Sequence, residues 1–180
     1  MTRYAAWLRG IMPSNPNMRN EKLRAVFEGL GFESVGSVLS SGNIVFSSAE
    51  TDVSDLESTI RQALTEELGI GGGTIIRSRA ELQALVDRDP FAGLTHDRTT
   101  YLTVTFVKDG GKTGGPGPLP ERLEKAVRIV GYDEQARAVL AVLDNTDPST
   151  ANHMGWLETV YGKDITTRTW LTVRKVLAKL

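Results

Sequence analysis

Apolar residues recur along this chain at two spacings, and the switches between them mark the elements. Arg3–Arg9 is short, mostly apolar and ends at Gly10, which predicts a central strand. Residues 10–20 form a loop rich in Gly, Pro, Ser and Asn. From Glu21 the pattern changes: Leu23, Val26, Phe27 and Leu30 mark one buried helix face, with Asn20 as N-cap and Gly31 as the stop. Residues 35–48 carry apolar runs on either side of Ser-Ser-Gly42-Asn43, which predicts a tight β-hairpin with positive φ at Gly42. Val53–Leu68 repeats the helical stripe through Leu56, Ile60, Ala63, Leu64 and Leu68, capped by Asp52 or Ser54. Gly69–Gly73 breaks it, Thr74–Arg77 reads as a fourth strand, and Ser78 caps a helix through Val86 that ends before Asp89-Pro90. Strands 3–9, 34–40, 43–48 and 73–77 are expected in one sheet, the first beside the third at its centre, with helices 21–30 and 53–68 on one face.

A second round follows. Tyr101–Val107 has strand composition, Asp109–Pro120 is dense in glycine and proline, and Glu121–Val130 offers Leu123, Ala126, Val127 and Val130 at helical spacing. The 109–118 segment is expected to be a flexible loop without a functional role. Ala138–Leu143 is the next strand, paired through a turn with Tyr132–Gln135. Ser149 caps a helix to Tyr161, ended by Gly162, and Thr169–Leu180 closes the chain as a helix. The predicted fold is α+β: two related ferredoxin-like (β-α-β-β-α) halves with a C-terminal helix. They span 1–90 and 91–180 and form one compact unit. The repeat is read as topological, without residue-level self-similarity.

Composition narrows the chemistry. No cysteine is present, which removes disulfides, thiolate catalysis and Cys-ligated metal sites. The opening residues lack the apolar core of a signal peptide, and no apolar run reaches the length of a membrane span, so a cytoplasmic protein without a membrane partner is expected. A formal net charge of -1 gives no overall case for nucleic acid. The ends differ from the middle: residues 1–24 and residues 163–180 each carry five basic side chains against one acidic, a local +4, which leaves −9 on the remainder.

Three stretches together are similar to one family. They are Trp7-Leu-Arg-Gly-Ile11 with Leu23-Arg24, Leu30-Gly-Phe32 through Ser41-Gly-Asn-Ile-Val-Phe46, and Lys163-Asp-Ile-Thr-Thr-Arg-Thr-Trp170. Over essentially its whole length the chain resembles the bacterial domain-of-unknown-function family 1697. The resemblance implies an α+β fold of two related halves and supplies no activity. The chain departs from the family pattern in three places. Met12-Pro-Ser-Asn-Pro-Asn17 has no lysine where the family carries a glycine-rich, lysine-bearing loop. Ser149-Thr150 replaces a Ser-Lys pair, and Thr169-Trp170-Leu171 replaces Asn-Trp-Asn. A ligand held by those family residues would be bound differently here or not at all.

Catalytic patterns fail on inspection. Gly111-Lys112-Thr113 is not a P-loop, because Phe106 stands where the first glycine belongs and Gly114–Pro118 forbids the following helix. His96 and His153 have no ligand partners at metal spacing, and no Gly-x-Ser-x-Gly elbow exists, so no metal, cofactor or nucleophile is assigned. Trp170 shares helical spacing with Val173, Val176, Leu177 and Leu180, which reads as core.

The better candidate is a strand-to-helix loop. Arg9 and Gly10 end the first strand, and the next helix contributes a positive dipole. Arg19 and Arg24 add guanidinium groups suited to phosphate or carboxylate. With Ser41, Asn43 and Arg168, these residues are expected around one depression that binds a small anionic ligand. The alternatives are a nucleic-acid-associated protein using its basic ends, or an enzyme of unrecognised type.

Overall fold

The protein is described by a computed structural model covering residues 1–108, 122–123 and 126–180. The chain divides into two compact units, Met1–Gln83 with Arg174–Leu180, and Ala84–Val173.

In the first unit, β1 (Thr2–Leu8), α1 (Asn20–Gly29), β2 (Glu33–Ser37), β3 (Asn43–Ser48), α2 (Val53–Leu68) and β4 (Thr74–Ser78) follow in that order. The sheet order is β2-β3-β1-β4, all antiparallel, so the first strand is central and beside the third, as the sequence predicts. Alternation along β1 sends Tyr4, Ala6 and Leu8 to one face, where they join Ile44, Phe46 and Ile76 from the neighbouring strands. Leu23, Val26 and Phe27 of α1 and Leu56, Ile60 and Leu64 of α2 close over that face. Phe46 sits among Phe32, Phe27 and Tyr4, with ring centroids 4.6, 5.4 and 5.6 Å away. Asp52 caps α2 by accepting from Asp55 N, and Gly69 ends it at φ 69. Ser78 and Glu81 form a reciprocal capping box at the start of α3 (Arg79–Asp87).

Two expectations in this unit need correction. The hairpin is not tight: β2 ends at Ser37 rather than at residue 40, residues 38–42 form the connection, and Leu39 takes φ 57. Asn20 is not the N-cap of α1; Arg19 holds that position and Asn20 is the first helical residue.

The second unit contains β5 (Thr100–Val107), β6 (Arg122–Leu123), β7 (Val127–Asp133), β8 (Ala138–Asp144), α4 (His153–Tyr161) and β9 (Ile165–Thr169). Its sheet runs β6-β7-β8-β5-β9. Apart from the two-residue β6, this is the order of the first sheet, so the protein is α+β with two related halves. The helix expected over 121–130 is replaced, where the chain is described, by β6 and β7. Val127 and Ile129 are buried while Arg128 is exposed, the period of a strand. Pairing with β8 prevailed over an apolar spacing that also fits a helix. The 109–118 segment lies outside the described residues. Asp147, not Ser149, caps the short 3-10 turn Pro148–Asn152 that leads into α4. Residues 165–169 form an unexpected strand before α5 (Trp170–Lys179). Arg88 forks onto both carboxylate oxygens of Asp133 at 2.7 Å and reaches Gln135, tying the β7–β8 turn to the segment after α3.

Candidate anion site at the end of the first sheet

Where β1 ends, the chain must leave the sheet, and two glycines make room for it. Gly72 passes so close that a Cβ there would lie 1.8 Å from Arg9 O. Gly42 combines φ 81 with a would-be Cβ only 2.6 Å from Ile11 Cγ1. Backbone bonds close the junction: Leu8 N donates to Gly42 O at 2.9 Å and Arg9 N to Gly73 O at 3.0 Å. Arg9 is half-buried and Gly10 exposed, the latter at φ 78 as it turns the chain into the 11–19 loop.

The 38–42 loop lies against this junction. Asn43 is fully buried, and its amide donates to Val38 O at 2.9 Å and to Ser41 Oγ at 3.1 Å. Asn43 therefore builds the loop that presents the exposed Ser41. Asn20 Nδ2 donates to Leu39 O at 2.7 Å, which brings the start of α1 to the same end. Arg19 makes no side-chain capping bond, so the first turn of α1 begins on a basic residue. Arg19 and Lys22 are exposed, and Arg24 donates to Ser37 Oγ at 2.6 Å. Glu21 is the acidic residue in that first turn. Lys22 at the first turn was not singled out from sequence; its position two residues into the helix was the available signal.

Four of the five sequence candidates, Arg9, Gly10, Ser41 and Asn43, thus meet at one end of the first unit. Arg168 belongs to the second unit. It lies on β9, opposite Val104 and just before α5. Its Nη1 donates to Thr166 Oγ1 at 2.7 Å and to Thr167 O at 3.0 Å, and burial lowers its pKa to about 10. The charge remains at neutral pH, held against its own strand.

Other candidates separate cleanly. His96 Nδ1 accepts from Leu102 N at 3.1 Å, and its ring stacks on Tyr101 at 4.8 Å. His153 is buried rather than at the surface, with no partner on either ring nitrogen, and burial pushes its pKa down to about 4. Trp170 packs edge-on against Phe91 at 5.3 Å, as core. Among the described residues no group of three His, Cys, Asp or Glu is placed to hold a metal ion, and no helix is long and apolar enough to cross a membrane. Gly111-Lys112-Thr113 lies outside the described residues.

No curated protein matches the sequence. Among solved structures, the conserved bacterial protein SP0830 from Streptococcus pneumoniae shares the fold. The TM-score is 0.71 at 21% identity, over 99% of this chain and 98% of that one. The sequence of residues 1–139 matches the family described as protein of unknown function (DUF1697), and the chain belongs to that family.

Proposed function

We propose that this protein is a binding module for a small anionic ligand, a phosphate or carboxylate, held where β1, the 38–42 loop and the start of α1 meet. One observation carries the reading: α1 starts at a basic N-cap without a side-chain acceptor, and the 38–42 loop ties that start to the end of β1. The first N–H groups of a helix carry partial positive charge, and an anion supplies both the acceptor and the countercharge. Arg9, Arg19 and Lys22 add full charges around it, Ser41 adds a hydroxyl, and Asn43 shapes the loop. A cytoplasmic location suits this reading, since a cysteine-free domain needs no oxidising compartment.

The test is stabilisation by ligand. Inorganic phosphate, acetate, mononucleotides and a short oligonucleotide are each titrated while the melting point is read. An anion at a hundred times its dissociation constant adds about 2.7 kcal/mol of apparent stability. Arg9→Ala and Arg19→Ala should each weaken that response, and Arg168→Ala reports on the fifth candidate. If none of the anions shifts the parent, or if the Arg9 and Arg19 variants respond as the parent does, the reading is wrong. A response confined to the oligonucleotide would favour nucleic-acid association instead.

A further inference from the structure

Basic residues from both ends of the chain meet in the first unit. Arg3 Nη2 donates to Lys179 O at 3.3 Å, and Arg3 Nη1 donates to Ser34 O at 2.9 Å and to Ser47 Oγ at 3.2 Å. One guanidinium thus ties the start of β1 to β2 and to the last turn of α5, where a cation also opposes the negative end of the helix. Tyr4 pairs with Ser78, so Arg79, the next residue, comes alongside Arg3. Burial, and after it the Arg79 charge, lower the Arg3 pKa. Like charges placed side by side destabilise the fold.

α5 adds a row of cations. Trp170, Val173 and Val176 are buried, while Leu171, Arg174, Lys175, Ala178 and Lys179 are exposed. The exposed positions recur three and four residues apart, so they form one outward stripe, with Lys175 and Lys179 about 6 Å apart along the axis. From Ile165 to Leu180 the chain has no acidic residue. Among the described residues, the side chains of Arg79, Arg174, Lys175 and Lys179 make no hydrogen bond or ion pair, whereas Arg88 is paired with Asp133. In a chain of net charge -1, this is a positive face that the protein leaves unneutralised.

We infer that this face, Arg79 with the outward stripe of α5, binds the phosphate backbone of a nucleic acid. A nucleic-acid strand repeats its charge at regular intervals, which a row of cations can follow, and each contact releases condensed counterions. A lipid surface needs apolar anchors, and the stripe offers only Leu171 and Ala178. Trp170 is buried, so the face has no aromatic platform on which bases would stack. Contacts to phosphate alone position a protein without reading sequence, and a duplex serves as well as a single strand. The face is distinct from the anion site, since Arg3 stands at the opposite end of β1 from Arg9, about 20 Å away.

Fluorescence anisotropy of a short labelled DNA duplex, titrated with the full chain, tests the inference. Four phosphate contacts should make affinity fall about a hundredfold between about 50 and 200 mM salt. A duplex of scrambled sequence should bind within about threefold of the first. Lys175→Glu with Lys179→Glu should weaken binding by about tenfold or more, and Lys175→Gln with Lys179→Gln gives the same direction should the reversal fail to fold. Arg61→Glu with Arg98→Glu makes the same change of net charge at exposed positions elsewhere, and should weaken binding less than about threefold. Arg19→Ala should leave duplex binding as it is in the parent. No binding at low salt, a flat salt response, equal weakening by the two pairs of reversals, or a larger loss from Arg19→Ala overturns the inference. Anionic vesicles that bind more tightly than the duplex, and are released by the Lys175 and Lys179 changes, would overturn it in favour of a membrane.

Discussion

The two sheets share one strand order but differ on the face that their helices cover. In the first unit that face is mainly aromatic and aliphatic; Tyr4 donates its hydroxyl to Glu50 O at 3.0 Å, and Thr74 is buried beside Leu8. In the second, cross-strand pairs Thr103–Thr169 and Thr105–Thr167 stand among Val139, Ala141 and Leu143. Thr105 and Thr167 share a hydrogen bond of 2.7 Å, and Thr167 donates to Met154 Sδ at 2.9 Å. His153 and the Tyr161 hydroxyl are buried there without partners. One topology is therefore filled mainly by side-chain volume in the first unit and partly by hydroxyl pairing in the second, while Thr74 Oγ1 in the first and His153 and Tyr161 in the second are buried without partners.

The largest expected contrast follows from volume. Phe46→Ala removes the ring on which Phe27, Phe32 and Tyr4 converge, and should cost about 3–5 kcal/mol in urea unfolding. Thr105→Val keeps the volume and loses one hydrogen bond, at about 1 kcal/mol. Equal losses would show that the two faces are held in the same way.

The next contrast is with pH. Burial disfavours the charged imidazole of His153, so its folded-state pKa of about 4 lies below the ordinary value of 6.5. The unfolded chain then binds the extra proton first, and this stability is complete above pH 6.5 and lost as pH falls towards 4. The parent's melting point should drop across that window more than that of His153→Leu. Parallel profiles would mean that His153 is hydrated or paired in solution.

The smallest contrast is between two tyrosines. Tyr4→Phe removes a made hydrogen bond and should cost about 1 kcal/mol. Tyr161→Phe removes a hydroxyl without a partner, whose pKa burial and Tyr132 raise to about 12, and should leave stability unchanged or higher. A loss at Tyr161 equal to that at Tyr4 would reveal an acceptor for its hydroxyl.

The same difference explains what could be read from the chain. Elements of the first unit announce themselves, because α1 and α2 bury one clean stripe and β1 is a continuous apolar run. β9 did not, since Ile-Thr-Thr-Arg-Thr offers one aliphatic side chain in five and owes its conformation to pairing with β5. β7 was read as part of a helix because Leu123, Ala126, Val127 and Val130 stand at helical spacing, which an apolar strand can also present. The gathering of Arg9, Gly10, Ser41 and Asn43 was legible, as loops at one end of a β-α-β-β-α-β unit must converge. The burial of Asn43 and the Arg19 N-cap were not, because both depend on how the 38–42 loop meets α1.

The central functional claim is tested most directly by following backbone amide resonances during titration with inorganic phosphate. The account predicts saturable shifts concentrated at Gly10, Asn20, Glu21, Lys22 and the 38–42 loop, weakened by Arg19→Ala. Shifts absent, spread evenly over the basic surface, or centred on the second unit would contradict it.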